Sequence, residues 1–176
     1  MRPIVTDLSK IEKISQEEDD ENWQFRDFLK KLNPEKIDET VQHLLQKITP
    51  LIDCTICANC CQQLEVTLTE EDLVKLTEHL KTPIYQFIDH YLIEDAEAPQ
   101  FIFKQQPCPF LKDNLCVEYA VRPQTCRNYP HLEKKYFSAR LRTIINNCEI
   151  CPIVFNVFEN LKDETGFYSL FFKNCA

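Results

Sequence analysis

Four cysteines fall within eight residues, Cys54-Thr-Ile-Cys57-Ala-Asn-Cys60-Cys61, and Cys108, Cys116, Cys126, Cys148 and Cys151 follow. A soft divalent metal or an iron–sulfur cluster needs deprotonated sulfur at roughly tetrahedral angles, and a Cys-x-x-Cys turn presents two such sulfurs from one short loop. This spacing marks a metal-binding framework. Cys54, Cys57 and Cys60 repeat at the interval used to hold three irons of a cubane cluster, with a remote cysteine as fourth ligand, and Cys151-Pro152 is the natural remote partner.

Cys60 and Cys61 are adjacent, and neighbours in an extended segment point to opposite sides. They are therefore expected to serve different centres. Two arrangements follow: two metal sites sharing the loop, or one cluster plus a separate all-cysteine site drawn from Cys108, Cys116, Cys126 and Cys151. Zinc accepts all-sulfur ligation as readily as mixed ligation, so ligand type alone does not choose. An iron–sulfur cluster is the preferred cofactor and Zn2+ the alternative.

The rest of the chain bounds the classes of function. At 176 residues one folded domain is the default. Residues 1–22 are expected to form a polar, acidic arm and residues 23–176 a single metal-binding domain, with its motifs at 54–152. Gly166 is the only glycine, which excludes P-loop and dinucleotide cradles. A net charge of −8 disfavours nucleic acid, whose phosphates reward clustered Lys and Arg. The N-terminus lacks the apolar core of a signal peptide, and no run reaches the ~18 apolar residues of a spanning helix. Ten cysteines are then expected as thiolates in a reducing cytoplasm rather than as disulfides.

Helical periodicity supplies the elements that position these sulfurs. Trp23, Phe25, Phe28, Leu29 and Leu32 give an aromatic face, preceded by the acidic run 17–21, which reads as a solvated surface. Asn33-Pro34-Glu35 is a helix start, and Ile37, Val41, Leu44, Leu45 and Ile48 form the next apolar stripe up to Pro50. The cysteine cluster is expected as a loop off that helix end. Thr69-Glu70-Glu71-Asp72 is a capping box for a third helix with Leu73, Leu76 and Leu80 inward, and Thr82-Pro83 starts a fourth, through Leu92.

Phe101-Ile-Phe-Lys is a strand, Lys112-Asp113-Asn114 the turn of a small hairpin, and Pro123 the start of a helical turn carrying Cys126. Residues 137–146 read as a helix with Leu141, Ile144 and Ile145 inward. Cys151-Pro152 opens the last helix, with Ile153, Val154, Val157, Phe158 and Leu161 on one side. The apolar tail Phe167, Tyr168, Leu170, Phe171 and Phe172 is expected to pack on the core. The fold class is mainly α, formally α+β: a compact helical domain with a small β-hairpin around cysteine-ligated metal.

The run Cys54-x-x-Cys57-x-x-Cys60-Cys61, with Cys108-Pro109-Phe110-Leu111, Cys116-x-x-Tyr119, Arg122-Pro123-x-x-Cys126-Arg127-x-Tyr129-Pro130 and Cys151-Pro152, resembles the CxxCxxCC cysteine-cluster family of zinc- or iron-chelating domains. The resemblance implies eight ligands: Cys54, Cys57, Cys60, Cys61, Cys108, Cys116, Cys126 and Cys151. One branch of that family includes a flagellin lysine methylase, a larger protein, but no methyl-donor site is evident here. The glycine usual after the second cysteine is Ala58 in this chain. Cys148 and Cys175 lie outside the pattern and are expected as buried thiols.

From Arg122 to Arg142 the cations Arg122, Arg127, Lys134, Lys135, Arg140 and Arg142 face a single acid, Glu133. They serve either to compensate a thiolate-rich centre or to form surface salt bridges. His131 is expected to hydrogen-bond near the site rather than to ligate, His43, His79 and His90 carry no motif, and Tyr119 and Tyr129 are expected to pack on the metal loops with paired hydroxyls. No catalytic constellation stands out. The resulting role is metal-ion or iron–sulfur binding by all-cysteine ligation, redox or chelating. The alternatives are a structural zinc module presenting a surface to a protein partner, or part of a protein-modifying enzyme system.

Overall fold

A computed structural model of the chain describes residues 1–94 and 100–168. In chain order it comprises α1 (Leu8–Glu17), α2 (Asp19–Leu29), α3 (Pro34–Ile48), the short α4 (Cys54–Cys57) and α5 (Asn59–Gln63), β1 (Thr67–Leu68), α6 (Glu70–Leu80), α7 (Ile84–Tyr91), β2 (Leu92–Glu94), β3 (Phe101–Phe103), β4 (Leu111–Lys112), β5 (Leu115–Cys116), α8 (Gln124–Asn128), α9 (Leu141–Cys148) and α10 (Pro152–Glu164). The chain is mainly helical with a small antiparallel sheet, the α+β class that the periodicity predicts. No helix among the described residues is long and apolar enough to cross a membrane. The backbone divides into two compact units, Met1–Asp53 with Pro130–Ala176, and Cys54–Tyr129.

The first unit is built around α10, whose residues from Pro152 to Lys162 are all buried. Helices α1, α3 and α9 pack against it. Helix α3 begins where Asn33 accepts hydrogen bonds from the N–H groups of Glu35 and Lys36, with Pro34 first in the helix. Its buried face is Ile37, Val41, Leu44, Leu45 and Ile48, as the stripe predicts. Phe25 of α2 meets Phe158 edge-on at 5.1 Å and Phe167 at 5.0 Å. The buried Phe167 thus packs on the core, while the tail from residue 169, including Leu170, Phe171, Phe172 and Cys175, lies outside the described residues.

Residues 137–146 divide into a 3-10 turn (Phe137–Arg140) and α9. Asp38 fixes the entry by accepting the N–H groups of Tyr136 (2.8 Å) and Phe137 (2.9 Å).

Helix α10 is more enclosed than a one-sided stripe suggests because its polar face is also covered. Asn156 accepts the Val5 N–H at 2.9 Å and donates to the Val5 carbonyl at 2.7 Å. Asn160 accepts the Arg2 N–H at 2.7 Å, so residues 2–5 run along the helix. The Lys162 side chain is completely buried, with Nζ 3.0 Å from Glu18, 2.8 Å from Glu21 and 2.6 Å from Glu159. The acidic run that reads as a solvated surface therefore supplies partners to an interior ammonium, which unpaired would cost several kcal/mol. Ahead of that run, Asp7 caps α1, and Ile11 and Ser15 of this helix are buried.

The second unit holds a three-stranded antiparallel sheet in the order β1-β3-β2, with Thr67 opposite Ile102 and Leu92 opposite Phe103. Its core gathers Val66, Leu68, Leu73, Leu76, Phe87, Leu92, Phe103 and Phe110. Phe110 stands against Phe103, Tyr91 and Phe87 at ring separations of 5.5, 5.5 and 6.4 Å. The capping box at Thr69 and Asp72 forms, and Pro83 precedes α7 as the sequence indicates. Strands β1 and β2 carry too few residues for an alternation to show.

Candidate metal centre

The segment expected as a loop consists of two helical turns, α4 and α5, joined at Ala58. Ala58 has φ 50° and ψ 5°, a left-handed conformation that disfavours a side chain by roughly 1–2 kcal/mol. The position where the family resemblance expects glycine is the one that needs it. Cys60 and Cys61 lie on α5, so the premise of an extended segment fails there: helical neighbours diverge by about 100° rather than pointing oppositely. The Cys60 thiol hydrogen-bonds to the Cys61 sulfur.

Backbone pairing carries Cys108 and Cys116 to the same place. The Cys108 N–H donates to the Cys61 carbonyl at 2.9 Å, and the Leu111 N–H donates to the Cys108 carbonyl at 3.0 Å. Leu111 then pairs across the β4–β5 hairpin with Cys116. Asp113 (φ 49°) and Asn114 (φ 60°) make the two-residue turn, a conformation that Asp and Asn tolerate well. Phe110, two residues beyond Cys108, plugs the core, and its carbonyl accepts the Val117 N–H at 2.9 Å. Helix α4 packs against β5, so the Cys54–Cys57 turn adjoins the Cys116 strand.

Cys126 is placed by α8, whose first residue, Gln124, donates its N–H to Asp72 at 2.9 Å. Thr125 hydrogen-bonds Thr67 of β1 at 3.0 Å. The loop before α8 is braced by arginines. Arg127 donates to the Arg122 and Ala120 carbonyls, and Arg122 donates to the Tyr119 carbonyl. Tyr119 is exposed, with the Arg122 guanidinium 3.7 Å from its ring centroid, so its ring stacks on a cation at the surface. Arg140, in the other unit, likewise donates to carbonyls, those of His131 and Lys134. These guanidiniums chiefly lock turns, a use that charge counting along the sequence does not reveal.

Cys61, Cys108, Cys116 and Cys126 lie close enough to act on one another electrostatically. Burial pushes Cys108 up to about 11 and Cys126 up to about 12, and a charge at Cys61 adds to both. Cys116 is also raised, by burial first and then by Cys61 and Glu118. Cys61 moves oppositely, to about 7, because the Cys60 hydrogen bond outweighs burial. The positive charge of Arg122 favours the thiolates of Cys116 and Cys126, which bears on the charge-compensation reading of the basic patch. Cys108, Cys116 and Cys126 all pack against the apolar core of this unit.

The remaining candidates stand apart in kind. Cys54 is exposed, whereas Cys57 and Cys60 are half-buried. Cys151 belongs to the first unit, buried as the residue before α10. Cys148 is a buried thiol bonded to the Ile144 carbonyl, as a small core residue would be. His131 is also in the first unit, its pKa lowered by burial and by Lys134 and Arg140.

None of the nine described cysteines is joined in a disulfide. Among the described residues, no three His, Cys, Asp or Glu side chains already stand in metal-holding geometry. The residues nonetheless suit a thiophilic ion in type, since sulfur donors on braced turns border an apolar core. A family model described as "CxxCxxCC: Putative zinc- or iron-chelating domain" matches residues 53–152. No curated protein and no solved structure matches the chain.

Proposed function

Because the chain belongs to the CxxCxxCC family of zinc- or iron-chelating domains, we propose that it binds its metal through cysteine sulfurs alone, with Cys54, Cys57, Cys60, Cys61, Cys108, Cys116 and Cys126 as ligands from one unit. The family pattern adds Cys151 as a candidate. The observation that carries this reading is the mutual proximity of Cys61, Cys108, Cys116 and Cys126, which are remote in sequence and free of disulfides. Bound there, the metal supplies cross-linking of four separate chain segments and, if it is iron, a redox centre. The protein's own part is to hold the sulfurs on braced turns, half-bury three of them against an apolar core, and offset their negative charge with Arg122.

The Cys54, Cys57 and Cys60 spacing favours an iron–sulfur cluster over Zn2+. A reducing cytoplasm suits a protein whose cysteines stay as thiols. Elemental analysis with an absorption spectrum on anaerobically prepared protein tests the reading. A cluster gives a brown protein absorbing near ~400 nm that bleaches on reduction. A colourless protein with stoichiometric zinc rejects the cluster, and a protein free of both metals after loading rejects the whole reading.

A further inference from the structure

Helix α10 carries Asn156, Glu159, Asn160 and Asp163 at the i, i+3, i+4 and i+7 positions of one face, a stripe that alternates carboxamides with carboxylates. Residues 2–5 lie along it. The Asn156 amide takes both backbone groups of Val5, accepting the N–H at 2.9 Å and donating to the carbonyl at 2.7 Å. The Asn160 side-chain oxygen accepts the Arg2 N–H at 2.7 Å. Both amides are aimed by their own helix: Asn156 Nδ2 also donates to the Pro152 carbonyl and Asn160 Nδ2 to the Asn156 carbonyl, each at 2.7 Å. Donors and acceptors set in advance lower the ordering cost of binding. Bonds of this kind read an extended backbone and leave side chains to be read elsewhere.

The carboxylates read the side chain. The Arg2 guanidinium meets Asp163 through two bonds of 2.9 and 3.1 Å, reaches Glu159, and lies 4.9 Å from the Tyr168 ring centroid. That geometry uses the planar fork of arginine, which lysine lacks. Pro3 biases Arg2 towards the extended backbone that the face requires. None of residues 1–6 is fully buried, and they belong to no helix or strand. The segment is therefore held chiefly by these contacts and can lift locally while α10 stays folded.

We infer that this face of α10 is a docking site for an extended, arginine-led peptide, and that residues 2–5 are its tethered occupant. No cysteine takes part in it. A short tether acts as a ligand at an effective concentration of about millimolar, so a free peptide enters the site only once the strap is displaced. Arg2→Glu displaces it, by setting a third carboxylate against Glu159 and Asp163.

The test titrates the full-length Arg2→Glu variant with an acetylated, amidated peptide of residues 1–6 while the side-chain amide signals of Asn156 and Asn160 are followed by NMR. Saturable shifts are expected in the variant, and none in the parent at the same sub-millimolar peptide concentrations. No shift in a variant that keeps its helical circular dichroism overturns the docking site. Equal shifts in the parent overturn the strap as its occupant, and equal shifts with a peptide carrying glutamate for arginine overturn the selectivity. A second measurement needs no variant: in the parent, the Val5 N–H should exchange at least about tenfold faster than amides in the middle of α10, at a rate independent of low urea. Exchange of Val5 only in step with α10 would show that the strap never lifts, and overturns the proposal.

Discussion

Asp72 accepts the N–H of Gln124 at 2.9 Å through one carboxylate oxygen while the other accepts the N–H and hydroxyl of Thr69 at the start of α6. One buried side chain thus caps two helices, and the second of them carries Cys126. Replacing Asp72 by Ala removes a cap and orphans the Gln124 N–H. It should cost about 2–4 kcal/mol, read as a fall in the urea midpoint at constant slope. Zinc affinity should weaken in the same variant. A variant as stable as the parent would show that Asp72 only decorates the surface.

Ala58 is the reverse case, a position where the chain keeps a β-carbon that its backbone disfavours. Ala58→Gly should raise stability by about 0.5–1 kcal/mol, because left-handed strain is relieved while glycine's extra unfolded-state entropy offsets part of the gain. A denaturation curve unmoved or shifted to lower urea would contradict this.

Lys162 is the charged counterpart inside the first unit. Lys162→Met leaves buried Glu159 with Arg2 as its remaining cation and takes the ammonium from Glu18 and Glu21, and should destabilise by about 3 kcal/mol. The double variant with Glu159→Gln should recover part of the loss. Additive losses in a double-mutant cycle would show the two residues to be independent.

The same network gives an alkaline signature. Burial, and then the hydrogen bond to Glu21, raises Tyr168 from 10.0 to about 12. A group whose pKa is higher in the folded state stabilises fully below the unfolded value and loses that contribution as pH climbs through the folded one. Lys162 is also raised, held by Glu159, Glu21 and Glu18 against burial, and Arg2 remains charged nearby, so both cations persist through this window. Melting temperature should therefore fall between about pH 10 and pH 12, and Tyr168→Phe should flatten that limb. An identical alkaline limb in the variant would assign the loss elsewhere.

Removing the metal should matter more than any of these substitutions. A structural zinc supplies about 10–16 kcal/mol in small domains, whereas whole-domain stability is about 5–15 kcal/mol. Chelation, Cys57→Ser or Cys61→Ser should abolish cooperative melting of residues 54–129 or aggregate the protein. An unchanged melting temperature after verified metal removal refutes that expectation.

What could be read in the sequence is what short-range chemistry encodes. The Asn33-Pro34 start, the Thr69–Asp72 capping box and the Asp113-Asn114 turn each depend on residues within a few positions of one another, and each forms as expected. The Gln124 bond to Asp72 spans 52 positions, and the pairing of Lys162 with Glu18 spans 144. No periodicity reports such meetings, so the acidic run looked solvated and the capping box looked merely local. The cysteine spacing pointed to a metal-binding framework but not to the backbone bond between Cys61 and Cys108 or to the β4–β5 register that pairs Leu111 with Cys116.

The segment Cys54–Tyr129 interrupts the first unit, whose central helix α10 begins only at Pro152. During translation the seven cysteines through Cys126 leave the ribosome before α10 does. At ordinary elongation rates of about 5–20 residues per second, several seconds separate the emergence of Cys61 from that of the helix that completes the host. The inserted stretch has its own core, from Val66 to Phe110, and so can begin to fold while the chain that surrounds it in sequence is still incomplete.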